Sequence, residues 1–127
     1  MKTLADYFKI VPLSDFESFD GEHLVTISGN APDHIVANNN LVLEDSPDTG
    51  SRAGTFYKQS LQAVTDKLSE YQRMVYVARR PVVVLLFTDT GEPILWGNAE
   101  EKLRITLIPT PDADILNFNR EALSPIF

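Results

Sequence analysis

The chain has 127 residues, 43% of them hydrophobic and twelve aromatic, and a domain of that size buries roughly two-thirds of the surface its unfolded chain exposes. With no cysteine it excludes disulfides and thiolate metal sites, and no apolar run is long enough to cross a bilayer as a helix. Its net charge of −7 is uneven: residues 1–50 hold nine acids against Lys2 and Lys9, while residues 51–127 hold nine acids and nine bases. That balance, with Arg79-Arg80 as the only basic cluster, argues against nucleic-acid binding and favours a solvated acidic face.

The opening "MKTLADYFKIV" places Asp6 and Lys9 where a signal peptide needs an unbroken apolar run, so a soluble protein is expected. "EHLVTIS" (22–28) alternates like a half-buried strand. "HIVANNNLVLED" (34–45) reads as two strand arms around Asn38, Asn39 and Asn40, because asparagine tolerates the backbone angles of a hairpin loop. "EDSPDTGSRAG" (44–54) is nearly free of apolar side chains and predicts an exposed, mobile loop.

"TFYKQSLQAVT" (55–65) begins with strand-like spacing at Tyr57, Leu61 and Ala63. Val64, Leu68, Tyr71, Val75 and Ala78 then recur at helical spacing. Thr65 or Asp66 can cap a helix there, Arg79 and Arg80 suit its negative end, and Pro81 stops it. The spacing predicts one helix at about 66–79. "VVVLLF" (82–87) is apolar on both faces, which predicts a central strand covered by the helix on one side and by more core on the other. "TDTGEP" turns the chain, and "ILWG" (94–97), "LRITLIP" (103–109) and "DADILNFN" (112–119) supply further strands. The expected fold is α+β: mostly antiparallel sheet, as a small barrel or sandwich, with one helix, in a single domain over 1–127.

Asp-Thr-Gly occurs twice, at Asp48 and at Asp89, and it is the tripeptide of dimeric aspartic peptidases. Such enzymes deliver the aspartate on an apolar strand, so that two carboxylates share one proton. Asp89 instead follows Thr88 and precedes Gly91-Glu92-Pro93, and Asp48 follows Ser46-Pro47. Both read as turns, with Gly91 supplying a positive backbone angle. His23 and His34 lack the further ligands of a zinc site and suit edge or surface positions. Asp112 and Asp114 lack the glycine and terminal glutamate of a calcium loop and suit a solvated turn. Glu100-Glu101 beside Lys102 and Arg104 reads as a charged loop. No catalytic, metal-binding or cofactor-binding residues are assigned. Trp96, Phe118 and Phe127 suit either core or an interface anchor, and they are the candidate interface residues.

The stretch from "AGTFYKQSLQAVTDKL" through "RRPVVVLLFTDTGEPILWGNAEEKLRITLIPTPDADILNFNREALSPIF" resembles small tail or head–tail structural proteins of Bacteroidetes phages and prophages. The likeness covers about residues 53–127 and lies in an order of features, carried by Gly54, Tyr57, Leu61, Gly91, Trp96, Gly97, Phe118, Arg120 and Pro125. It implies a non-catalytic virion protein that self-assembles into a ring, without cofactor, nucleic-acid or membrane contact. Such a protein resides in the host cytoplasm before assembly and in the virion after it, and its partners are copies of itself and neighbouring virion proteins. Two other readings stand beside this one. They are a dimeric aspartic peptidase using Asp48 or Asp89, and a small cytoplasmic binding module using a groove near Trp96 or an open sheet edge.

Overall fold

The computed structural model describes residues 2–48, 56–76 and 80–126. Its frame is antiparallel throughout. Strand β1 (Lys2–Pro12) leads through a short 3-10 helix (Leu13–Asp15) to a hairpin of β2 (Phe16–Phe19) and β3 (Leu24–Thr26). Then come β4 (Asp33–Val36), β5 (Val42–Asp48), β6 (Phe56–Thr65), helix α1 (Glu70–Tyr76), β7 (Pro81–Thr88), β8 (Pro93–Trp96), β9 (Leu103–Pro109) and β10 (Asp114–Ala122). The wall runs β1–β5–β6–β10–β9–β7, and pairing of β7 with β1 closes it into a six-stranded barrel. The α+β expectation therefore holds in its barrel form.

Two strands that look separate along the chain are single rails of this wall. β4 and β5 do not pair with each other but follow one another along β1, with Tyr7 opposite Val36 and Thr3 opposite Val42. Six residues of chain thus span four of β1, and the excess is taken up at Asn38–Asn40. The predicted Asn hairpin is corrected: the asparagines form a bulge that reaches over to β6. Asn39 Oδ1 accepts from Val64 N–H at 2.9 Å and its Nδ2 donates to Gln62 O at 3.0 Å, so one side-chain amide replaces the missing backbone of the rail. The predicted loop at 44–54 is corrected for its first part, because β5 continues to Asp48 in register with β6, from Glu44–Ser60 to Asp48–Phe56. Exposed Glu44 and Ser46 alternate with the inward Leu43 and Asp45, and a barrel wall turns only alternate residues to its interior. The rest of that stretch lies outside the described residues.

β8 and β9 share β7 in the same way. β8 covers Val84–Phe87, β9 covers Pro81 and Val82, and residues 97–102 loop out between them. Gly97 makes the exit, at φ +97°, where a Cβ would lie 2.8 Å from Val82 O and 2.9 Å from Leu103 Cβ. Gly97→Ala combines a strained backbone with a clash against backbone. We expect it to cost about 2 kcal/mol, seen as a lower urea midpoint. An unchanged midpoint would show that this exit relaxes freely.

The inward residues of the rails make the main core, among them Phe8, Ile10, Leu41, Leu43, Leu61, Val84, Leu86, Trp96, Ile105, Leu116 and Phe118. The strand at 82–87 is central and apolar on both faces as predicted. Its outer face, Val83 and Leu85, packs with Val11 and Leu24 in a second cluster that includes Phe16 and Phe19, so the β2–β3 hairpin covers it where the helix was expected, while its inner face lines the barrel interior. Strand β1 is obscured in the sequence because Asp6 breaks the alternating run of Leu4, Phe8 and Ile10, at the point where the register with β7 shifts.

Helix α1 begins later than predicted. β6 stays paired with β10 up to Thr65, opposite Asp114, so strand pairing overrides the helical spacing that starts at Val64. The cap is Ser69 rather than Thr65 or Asp66. Ser69 Oγ accepts from Gln72 N–H at 3.2 Å, and Gln72 Oε1 accepts from Ser69 N–H at 3.1 Å, a reciprocal capping box. Residues 77–79 lie outside the described residues. α1 closes one end of the barrel, where Tyr76 enters the main core and its hydroxyl donates to Asp33. Burial, then that bond and the Asp33 charge, raise the Tyr76 hydroxyl far above the ordinary phenol value.

Candidate functional site

Polar side chains enter the barrel at both ends, and the two ends differ in what they bind. At the α1 end stands Asp114, the first inward residue of β10, fully buried. The predicted solvated turn is therefore corrected for Asp114, although Asp112 is exposed. Asp114 Oδ2 accepts from Leu68 N–H at 2.9 Å, and Oδ1 accepts from Arg73 Nη2 at 3.1 Å with Lys67 Nζ at 3.5 Å. Burial raises its pKa, but the Leu68 bond and the Arg73 and Lys67 charges together outweigh burial and hold it below the ordinary carboxylate value. Asp114 staples the segment before α1 and α1 itself to the wall.

The other end is the candidate site. Alternation along β5, β6 and β10 turns Asp45, Gln59 and Arg120 inward beyond the apolar layer of Leu43, Leu61 and Phe118. Gln59, 1% exposed, accepts at Oε1 from Trp96 Nε1 at 2.8 Å and from Arg120 Nη1 at 3.2 Å. Arg120 Nε donates to Glu101 O at 2.8 Å, and Nη2 lies 3.8 Å from Glu101 Oε1. Burial pulls the Arg120 guanidinium below its ordinary value, while Glu101 and Asp45 act in the opposite sense. Glu101 is presented by a turn in which Asn98 Oδ1 accepts from Glu100 N–H at 3.0 Å and Glu101 N–H at 2.7 Å.

This network holds a segment of the chain itself. After β10, Glu101 Oε2 accepts from Leu123 N–H, Gln59 Nε2 donates to Ser124 O at 3.4 Å, and Asp45 Oδ2 accepts from Ile126 N–H at 2.7 Å. Ile126 packs against the main core. Asp45 Oδ1 is buried and has no hydrogen-bond partner among the described residues. An open groove of 740 Å³ runs beside the network, lined by Lys58, Gln59, Glu101, Lys102, Arg104 and Arg120 among others. The groove is lined by polar and charged residues of both signs, unlike an ordinary small-molecule pocket.

The residues singled out from the sequence do not converge on one site. Trp96 and Phe118 are fully buried and touch each other, with centroids 6.1 Å apart, so both side chains serve the core of this chain and offer no surface to a partner. Phe127 lies outside the described residues. Asp89 is exposed in the β7–β8 turn, where Gly91 has φ +91° and Thr88 N–H donates to Glu92 O at 2.9 Å. Asp48 lies on β5, on another rail of the wall. His34 is exposed and stacks on Tyr7 at 5.4 Å, and His23 is exposed beside Asp20. Among the described residues no three His, Asp or Glu side chains are grouped to hold a metal ion, and no helix is long and apolar enough to cross a membrane.

Gln59, Asp45 and Arg120 were not singled out as a site by the sequence. Their signal was a polar residue at an inward position of a strand, legible only once the register is known. No family model, no curated protein and no solved structure matches the chain.

Proposed function

We propose that this protein is a non-catalytic structural component that works by self-assembly, of the kind found at the tail or head–tail junction of a phage virion. The observation that carries the assembly reading is on α1. Tyr71 and Met74 stand three residues apart, on one face, 74% and 68% exposed. Two large apolar side chains held out together on a capping helix suit contact with another protein surface. The polar groups at the other end are engaged with the chain's own backbone, which suits a structural role better than a waiting catalytic one. The order of features over residues 53–127 supplies the virion class.

The test is native mass by light scattering at two protein concentrations. A ring-sized mass, or growth toward one with concentration, is the expected result. A monomer at both concentrations would overturn the assembly reading, and a strict dimer would direct attention to Asp48→Asn and Asp89→Asn in a hydrolysis assay.

A further inference from the structure

The outer surface of the wall carries polar side chains in register across three strands. On β6, β10 and β9 the residues that alternate with buried Leu61, Phe118 and Ile105 turn outward, and pairing lines them up. Gln62, Asn117 and Thr106 form one row. Ser60 and Asn119 lie in the next, extended by Glu44 on β5 and Arg104 on β9. On the α1 side of both rows runs an apolar one, Val64, Ile115 and Ile108.

The polar rows floor a recess. The 740 Å³ groove beside the 97–102 loop and a second of 480 Å³ beside Asn39 and Asn40 share Ser60 and Asn119. The loop and the Asn bulge therefore stand as rims on either side of one continuous surface. Four basic and four acidic side chains line the two grooves together, a balance set within a chain of net charge −7.

Between the rims the hydroxyls of Ser60 and Thr106 and the carboxamides of Gln62, Asn117 and Asn119 bond to no other group among the described residues. The carboxamides of Asn38, Asn39, Gln59, Gln72 and Asn98, by contrast, are each bonded within the chain. Each carboxamide offers donors and an acceptor, and each hydroxyl a donor and two lone pairs. Adjacent strands repeat these groups at about 4.8 Å. A ligand that satisfies such an array presents donors and acceptors in close succession and carries no net charge. The hydroxyls of a sugar ring do both, and the apolar row suits the ring's C–H face. A nucleic acid brings phosphate charge that a balanced rim does not compensate. An extended peptide pairs with a sheet edge, and β6 and β10 are paired on both sides.

We propose that the outer face of β6, β10 and β9 is a binding site for a neutral oligosaccharide, held by Ser60, Gln62, Thr106, Asn117 and Asn119. This site does not involve Tyr71 or Met74, so it holds whether or not copies associate.

Isothermal titration calorimetry of the full chain tests it, with cellohexaose, maltohexaose, mannohexaose and N-acetylchitohexaose as probes. At least one of these is expected to bind at millimolar concentration or below. Asn117→Ala and Gln62→Ala are each expected to weaken that binding about fivefold. His34→Ala, on β4, which pairs with β1 and not with these strands, leaves it unchanged. Trp96 emission that stays that of a buried indole shows that each variant keeps the fold. Failure of all the probes to bind the unmodified chain at millimolar concentration overturns the proposal. Binding that survives both Asn117→Ala and Gln62→Ala places the sugar elsewhere and overturns the site.

Discussion

Phe118→Ala is expected to lower stability by about 3–5 kcal/mol, measured as a drop in the urea midpoint at unchanged slope. Phe118 is completely buried at the centre of β10, with its ring edge-on to Phe8 at 5.5 Å and 88° and tilted against Trp96 at 6.1 Å. Its cross-strand partners, Leu61 and Ile105, are buried as well. Truncation removes the transfer energy of the ring and leaves a cavity. A wall hydrogen-bonded all the way round cannot collapse into that cavity as a pair of loosely packed helices can, which places the cost in the upper part of the usual range. Domains of this kind have about 5–15 kcal/mol in total, so the variant stands near its unfolding threshold at room temperature. A loss below about 1 kcal/mol would mean that Phe118 does not occupy the barrel interior.

Asp114→Asn is expected to cost about 3 kcal/mol at neutral pH. The substitution keeps the shape but turns one acceptor oxygen into a donor, facing either Leu68 N–H or Arg73, which themselves donate. Breaking a fully buried pair costs more, but Arg73 and Lys67 are 36% and 39% exposed and regain water when Asp114 is neutralised, which favours the lower end of the range. The pH dependence has a definite sign. The folded pKa of Asp114 lies below its reference value of 3.8, so its contribution is fully present above that value and is lost as pH falls through the lower folded value. The stability difference between the two proteins should therefore be flat through neutral pH and shrink in acid below about pH 4. A difference that grows on acidification, or that varies between pH 6 and 8, would contradict the assignment.

Local chemistry carried much of the fold. The unbroken apolar run at 82–87 announced a strand buried on both faces, because only such a strand needs apolar residues at every position. Gly91 between polar residues announced the β7–β8 turn, since the required backbone angle is a property of the residue itself. The candidate site was far less legible. Asp45 lay in a stretch whose polarity read as loop, Gln59 carried no signal of its own, Arg120 entered only through the order of features over 53–127, and Asp114 read as part of a solvated turn. Each is polar at an inward position near an end of a rail, where a barrel gives way from packed hydrocarbon to hydrogen-bonded closure.

Residue types and their spacing were thus enough for an antiparallel α+β class, for the apolar strand at 82–87 and for the Gly91 turn, features that rest on local patterning. Tertiary structure decided whatever depends on register between distant segments. It joined β4 to β5 across the Asn38–Asn40 bulge and carried β6 past the helical spacing to Thr65. It also put Trp96 and Phe118 in the core and brought Asp45, Gln59 and Glu101 onto one short segment after β10. A strand's two faces are set by which neighbour it pairs with, and a shift of one residue exchanges inside for outside. That choice is made by the closed wall as a whole.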